Sequence, residues 1–133
     1  CLLALLDEVR PLRVFGHAYS ERTQGELAVF DAARDALQRY GRHALRHYII
    51  SHTEEVSDLL EVLLLQKECG LLTGRLGGSG GEGGDGARAA LIVSPLFETI
   101  ADLRQASTVM RAYYALPGIL AGARRAEGKT AGN

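Results

Sequence analysis

The sequence predicts a helix-rich α/β fold built around two strand-helix units. Residues 26–42 carry apolar side chains at three- and four-residue spacing, which is typical of an amphipathic helix. Two short apolar runs rich in β-branched residues follow further along the chain, each with a helix-start signal after it. Successive strand-helix units favour parallel strands joined by helical crossovers. Because two strands alone do not bury both faces of a sheet, we expect further segments of polypeptide to complete it.

The amino-terminal segment, residues 1–25, is predicted to be a helical lead-in. It opens with six apolar or small residues before Asp7, which is too short for a signal peptide core or a membrane span. The chain does not begin with methionine, and we therefore expect it to be a piece of a longer polypeptide.

Residues 26–73 are predicted to hold a helix and the first strand-helix unit. The first helix should end at Gly41, and the residues HYIIS at 47–51 are typical of a buried strand. Ser51 and Glu54 have the spacing of a capping box, which predicts that a helix follows. The leucine-rich stretch VSDLLEVLLLQKECG, residues 56–70, is predicted to form that helix, with Gly70 closing it.

A glycine-rich flexible insert is predicted at residues 74–88 because glycine favours the unordered state. Gly78, Gly80 and Gly83 match a GxGxxG pattern. A dinucleotide-binding loop requires a strand before the glycines and a helix after them, and here a helix precedes them. A nucleotide-binding module is therefore only a third hypothesis.

Residues 89–118 are predicted to form the second strand-helix unit. The run AALIVS at 89–94 is typical of a parallel strand buried on both faces, and Thr99 and Asp102 are predicted to open a helix. Pro117 and Gly118 should end that helix. The residues expected on its inner side are Ile100, Leu103, Val109 or Met110, and Tyr113 or Tyr114. The tail, residues 119–133, is predicted to be disordered.

Charge and cysteine content exclude several classes of function. The formal net charge is -1 and the pI about 6.5, so no basic surface for nucleic acid is expected. Cys1 and Cys69 lie far apart without a CxxC pattern, so neither a disulfide framework nor a zinc site is indicated. A reducing cytoplasmic location, with no nucleic-acid or membrane partner, fits these features.

Glu98 is the candidate functional residue, because it lies where the second strand gives way to its helix. Chemistry in parallel α/β folds is found on the loops at the carboxyl ends of the strands. A carboxylate there suits a hard cation such as Mg²⁺. By itself the same pattern also fits a helix-start acid favoured by the helix dipole.

Two blocks of the sequence carry a resemblance to a known family. These are YIISHTEEVSDLLEVLLLQKECGLL and SPLFETIADLRQASTVMRAYYALP. They resemble the phosphoenolpyruvate carboxylase patterns that read roughly YIISM…SDLLEV.LL.KEAGLL and PLFET..DL..A..VMR....LP. Order and separation also match, apart from the glycine-rich insert, and the resemblance covers about residues 27–117.

The resemblance implies a segment of a TIM-type β/α barrel from an enzyme that joins bicarbonate to phosphoenolpyruvate, giving oxaloacetate and phosphate. It implies Mg²⁺ or Mn²⁺ as cofactor, and the glutamate of PLFET, a metal ligand in the family, corresponds to Glu98. It also implies a cytoplasmic homotetramer for the complete enzyme.

The sequence departs from the family pattern in several places. It lacks the GYSDS.KD, FHGRGG and TAHPT elements that carry other catalytic groups, so the segment alone is expected to be inactive. His52 stands where the family usually has methionine and receives no family role. The four histidines have no partners at metal-binding spacing and are expected at the surface or satisfied in the core: His17, His43, His47 and His52.

Three hypotheses compete with a simple segment of the enzyme. One is that the chain is a subunit of a split enzyme whose partner polypeptide supplies the missing groups. Another is a non-catalytic helical interaction module derived from the same family, in which Glu98 has no role. The nucleotide-binding module is the third.

Overall fold

The structure, a computed structural model, describes residues 2–78 and 84–121 and is helix-rich α/β, as predicted. Within these residues no helix is long and apolar enough to cross a bilayer. In chain order the elements are α1 (Leu2–Asp7), α2 (Glu21–Tyr40), β1 (His47–Ile50), α3 (Val56–Glu68), β2 (Leu72–Thr73), β3 (Arg88–Ala89), β4 (Ile92–Pro95) and α4 (Ile100–Ala115).

Helix α2 begins five residues earlier than the periodicity predicted. The hydroxyl of Ser20 accepts a hydrogen bond from the backbone N–H of Thr23, at 3.3 Å, and so satisfies one free donor of the first turn. The helix ends where predicted, because Gly41 has φ 92°, which glycine adopts at little cost.

A parallel pair of strands, β1 and β4, forms the sheet that positions the site. His47 lies opposite Ile92 and Ile50 opposite Pro95. The prediction that β1 is a buried strand is wrong for these residues, since Ile49 is 63% exposed. The reason is that the face of β1 that carries His47 and Ile49 is exposed in the part of the chain that the structure describes.

The apolar run at 89–94 is not one strand, which corrects the prediction. Its first residue, Ala89, belongs to β3, which pairs antiparallel with β2, and residues 92–94 belong to β4. The chain changes partner at Ala90, whose N–H donates to the carbonyl of Leu71 at 2.7 Å. Continuous hydrophobicity does not show such a change of partner, because both pairings bury apolar side chains.

The two ends of the glycine-rich segment are paired with each other. The N–H of Arg75 donates to the carbonyl of Asp85 at 2.7 Å, and that of Ala87 donates to the carbonyl of Arg75 at 2.8 Å. Gly74 has φ 80°, and a Cβ there would stand 2.6 Å from the carbonyl oxygen of Gly86. Residues 79–83, with two glycines of the GxGxxG match, lie outside the described residues.

Helix α3 begins at Val56, where the predicted leucine-rich stretch begins, but its cap differs from the predicted one. The predicted capping pair of Ser51 and Glu54 is wrong, because the carboxylate of Asp58 accepts from the backbone N–H groups of Glu54 and Glu55, at 2.9 and 3.0 Å. The helix closes at Gly70 with φ 78°, as predicted. Its leucines are covered on more than one side, as their density indicated.

Helix α4 begins at the predicted cap but presents a different inner face. Val109 and Tyr113 are buried as expected, whereas Ile100 and Leu103 are 72% and 60% exposed. The inner-face prediction is wrong for those two residues, because the stripe that faces α3 runs through Asp102 and Val109 instead. The helix ends before Pro117 and Gly118, as predicted.

The main hydrophobic core lies between α1, α3, α4 and the strands. Its buried members are Leu6, Leu59, Leu60, Leu63, Leu72, Leu76, Ala87, Val93, Val109, Tyr113 and Ile119. Ile119 is 6% exposed, so the first residue of the predicted disordered tail is packed in the core, while residues 122–133 lie outside the described residues.

A second, smaller core packs α2 against the end of α3. Its buried members are Leu27, Phe30, Cys69, Leu71 and Leu91. Cys69 is 1% exposed and not in a disulfide, and it packs in this core as a small apolar residue. Beside this core the guanidinium of Arg13 donates to both carboxylate oxygens of Asp31, at 3.0 and 2.9 Å, and fastens the preceding loop to α2.

Candidate metal-binding site

The loops that follow β1 and β4 run side by side at the carboxyl end of the sheet. The N–H of Leu96 donates to the carbonyl of Ile50 at 2.8 Å, and the N–H of Thr53 donates to the carbonyl of Leu96 at 3.2 Å. The ladder of backbone hydrogen bonds thus continues past both strands. It places the residues just after β1 against those just after β4.

His52 and Glu98 meet at this edge of the sheet. The Nε2 atom of the imidazole lies 3.1 Å from Oε2 of the carboxylate, and the two side chains are 71% and 38% exposed. The backbone of His52 has φ 53°, a left-handed conformation that is uncommon for a residue with a side chain. The pair therefore lies open to solvent on a backbone whose conformation is unusual.

Asp102, in the first turn of α4, caps the start of its own helix. Its carboxylate accepts from the N–H of Thr99 at 3.1 Å, and the hydroxyl of Thr99 accepts from the N–H of Asp102 at 3.1 Å. Hydrogen bonds from Thr99 hold the pKa of Asp102 below its usual value, and the nearby His52 imidazole acts in the same direction.

Glu98 has no such structural duty at the helix start. The cap that a helix-start acid would provide is already made by Thr99 and Asp102, which form a reciprocal capping box. The position before it, Phe97, is packed against the main core and fixes the approach of the loop. The geometry therefore leaves the Glu98 carboxylate available to a ligand.

The residues present fit one part of a divalent-cation shell. A carboxylate suits Mg²⁺ or Mn²⁺, but such ions take about six ligands. In the described ranges there is no group of three or more histidine, cysteine, aspartate or glutamate side chains placed to hold a metal ion. Glu98 is thus one carboxylate of the kind such a shell uses, and His52 lies beside it.

The other predicted histidines lie away from Glu98. His17 packs edge-on against Tyr19, with ring centroids 4.7 Å apart, and His47 contacts the hydroxyl of Ser94 at 3.0 Å. His43 is exposed in the turn after α2. These positions agree with the surface roles expected of them.

His52 is the residue that the sequence reasoning missed at this site. The prediction gave it no role, yet it is the side chain that contacts Glu98. A signal was available, because His52 comes directly after the first predicted strand, 47–51, and Glu98 comes four residues after the second, 89–94. Residues in those places share one edge of a parallel sheet.

The fold and the site define a helix-rich α/β segment with an open carboxylate at the carboxyl edge of two parallel strands. The family model described as phosphoenolpyruvate carboxylase matches residues 1–128. The chain belongs to the phosphoenolpyruvate carboxylase family, which agrees with the resemblance found in its sequence blocks.

Curated relatives agree with this membership. The chain is 57% identical over 118 residues to phosphoenolpyruvate carboxylase of Burkholderia vietnamiensis, covering 89% of this chain and 11% of the relative. It is 54% and 52% identical to the enzymes of Burkholderia mallei and Paraburkholderia xenovorans, again over 89% of this chain and 12% of each relative. The chain thus spans about one ninth of the length of these relatives.

Proposed function

We propose that this chain is the part of a phosphoenolpyruvate carboxylase that contributes a metal-binding carboxylate, Glu98, to the active site. The complete enzyme would carboxylate phosphoenolpyruvate with bicarbonate to give oxaloacetate and phosphate. The observation that carries the proposal is the position of Glu98, beyond the end of a parallel strand and free of the capping duty that Asp102 performs.

The residues around Glu98 would fix where its carboxylate stands. Leu96 bonds through its backbone to the end of β1 and to the loop that follows it, Phe97 packs against the main core, and Thr99 caps α4 directly afterwards. A bound Mg²⁺ or Mn²⁺ would supply electrostatic stabilisation for the negative charge that develops on the enolate oxygen of pyruvate. Glu98 would hold that ion in a preset place, so that little reorganisation accompanies the reaction.

The remaining catalytic groups would come from outside these 133 residues. The family elements GYSDS.KD, FHGRGG and TAHPT are not in this sequence, and the parallel pair β1 and β4 would be two strands of a larger β/α barrel. We place those elements in the same polypeptide, with a second subunit as the alternative. A cytoplasmic homotetramer, as the family implies, belongs to the same proposal.

The segment carries apolar side chains on its exposed surface, and these favour burial against other parts of a larger protein or against a partner. Ile49 on β1 and Ile100 and Leu103 on α4 are more than half exposed. The rest of a barrel would cover them, and so would a partner of a non-catalytic interaction module. The role of Glu98 separates the two functions, because only the enzyme requires its charge.

The test is bicarbonate-dependent release of phosphate from phosphoenolpyruvate in the presence of Mg²⁺. We expect no activity from residues 1–133 alone and activity from the longer polypeptide that contains them. In that polypeptide Glu98→Gln should lower kcat by at least about 100-fold, in the range seen when one preorganised charge-stabilising group is removed. Glu61→Gln, an exposed position in the middle of α3, is the matched control and should leave the rate unchanged.

Two results would overturn the proposal. One is full activity of the Glu98→Gln protein, which would leave the interaction module as the better explanation. The other is absence of carboxylase activity in the longer polypeptide under saturating substrate and metal. Activity recovered only on mixing with a second polypeptide would instead favour the split enzyme.

A further inference from the structure

The imidazole of His52 lies beside the carboxylate that the proposed function assigns to the metal. We propose that His52 supplies a nitrogen ligand to the same divalent cation, next to the oxygen ligand from Glu98, and that this ligand shifts the site's preference from Mg²⁺ towards transition-metal ions such as Mn²⁺. This inference rests on the proposed function, since it assigns a second ligand to that site.

The separation of the two donor atoms fits a shared ion. Nε2 of His52 and Oε2 of Glu98 are 3.1 Å apart. Two neighbouring ligands of an octahedral ion, with metal-ligand distances of about 2.1 Å, lie about 3 Å from each other. The two donor atoms are therefore already at the separation that neighbouring ligands of one cation require.

The backbone holds the imidazole in this position. His52 is the one non-glycine residue with positive φ in the described ranges, a conformation that costs on the order of 1 kcal/mol or more outside glycine. Directly after it Thr53 is fully buried and donates its N–H to Leu96, the residue that also bonds the end of β1. The buried Thr53 and its hydrogen bond keep the turn in place, and the turn carries His52 over the strand ends.

Access and charge at this edge also favour a cation. The His52 side chain is 71% exposed, so water and ligands from other chain have room to complete a shell. The carboxylate of Asp102 is close enough for His52 to influence its pKa, although its hydrogen bonds commit it to the cap. The Glu98 carboxylate beside the imidazole would attract a dication bound there.

The chemistry of the donor pair sets the preferred metal. Oxygen donors suit Mg²⁺, whereas imidazole nitrogen binds first-row transition metals more readily. If Glu98 were the protein ligand without His52, the size and availability of Mg²⁺ and Mn²⁺ would decide which ion binds. Adding His52 gives a mixed nitrogen and oxygen set, which favours Mn²⁺.

Pulsed electron paramagnetic resonance of bound Mn²⁺ tests the ligand directly in the longer polypeptide that carries this segment. We expect ¹⁴N coupling from a directly bound imidazole, and its loss in His52→Met and His52→Gln. Both variants should lower the ratio of Mn²⁺ affinity to Mg²⁺ affinity by about 10-fold. This is the lower end of the loss of metal affinity that is usual when residues around a metal are replaced. His43→Met, in an exposed turn, is the matched control and should change neither quantity.

The glutamine variant separates binding from orientation. Its amide can still form a hydrogen bond with Glu98 but is not an imidazole, so a purely orienting His52 would leave the metal preference of His52→Gln unchanged. That result, or Mn²⁺ binding without ¹⁴N coupling, overturns this inference. If Mn²⁺ then still depends on Glu98, as shown by its loss in Glu98→Gln, the proposed function stands; if no Mn²⁺ binds at all, both fail.

Discussion

Phe30 of α2 stacks on Tyr48 of β1, with ring centroids 4.7 Å apart and ring planes 17° from parallel. Phe30 is 1% exposed and belongs to the smaller core, whereas Tyr48 lies at its margin. The stack joins the long helix to the first strand of the parallel pair. Through that strand it helps to position the loop that carries His52.

Phe30→Ala should destabilise the chain more than Tyr48→Phe, which alters the ring stacked on Phe30. Loss of a buried aromatic side chain costs about 3–5 kcal/mol, because apolar contact is lost and a cavity remains. Tyr48→Phe keeps the stacked ring and should change the free energy of unfolding by less than about 1 kcal/mol. Urea unfolding of the three proteins measures both values, and equal effects of the two changes would contradict the packing seen here.

Two glycine-to-alanine changes should have opposite signs. Gly74 has φ 80° and faces the carbonyl of Gly86, so Gly74→Ala should strain the paired ends of the glycine-rich segment and destabilise the chain by at least about 1 kcal/mol. Gly25 lies inside α2 with no atom near its missing Cβ, so Gly25→Ala should stabilise the chain by about 0.5–1 kcal/mol. Thermal unfolding measures both shifts. An unchanged unfolding temperature for Gly74→Ala would show that the two ends of the glycine-rich segment do not pair.

The thiol of Cys69 should be nearly inert in the folded chain. Burial raises its pKa from 9.0 to about 11, so at pH 8 it carries about 100-fold less thiolate than an exposed cysteine. A Cys1→Ser variant leaves this as the single thiol, and its labelling by a maleimide should become fast only in denaturant. Rapid labelling of the folded variant would contradict the burial of Cys69.

The same shift predicts a pH dependence of stability. Because the folded thiol holds its proton to higher pH than the unfolded one, the folded state binds more protons between pH 9 and about 11. The contribution of Cys69 to stability is constant below pH 9 and falls as the pH rises through that window. Unfolding curves of Cys69→Ala should lack this part of the fall.

The sequence predicted best those features that depend on neighbouring residues. The capping pair of Thr99 and Asp102 and the helix end at Gly41 were found where predicted, because each depends on a few adjacent backbone groups. Features set by distant chain were predicted less well. The run 89–94 divides between two sheets, and no local pattern shows which strand each half will pair with.

The candidate site also combines one feature predicted from neighbouring residues with another that depends on distant ones. Glu98 was identified from its sequence block and its place after an apolar strand. Its contact with His52 joins residues 46 positions apart, and it forms only because the two strand-end loops are held together through Leu96. The exposed positions of Ile100 and Leu103 were also missed, because periodicity finds a helical stripe without showing which neighbour covers it.

The start of α3 offers the sharpest test of local prediction against structure. Ser51 and Glu54 have the spacing of a capping box, but β1 and its continued pairing to Leu96 occupy the chain up to Thr53. The helix therefore begins at Val56 with a different cap, in which Asp58 accepts from the N–H groups of Glu54 and Glu55. Asp58→Ala should lower the free energy of unfolding by about 1 kcal/mol, the usual cost of losing a cap, and Ser51→Ala should leave it within about 0.5 kcal/mol. Paired urea titrations measure the two changes, and a larger loss for Ser51→Ala would favour the capping pair that the sequence pattern predicted.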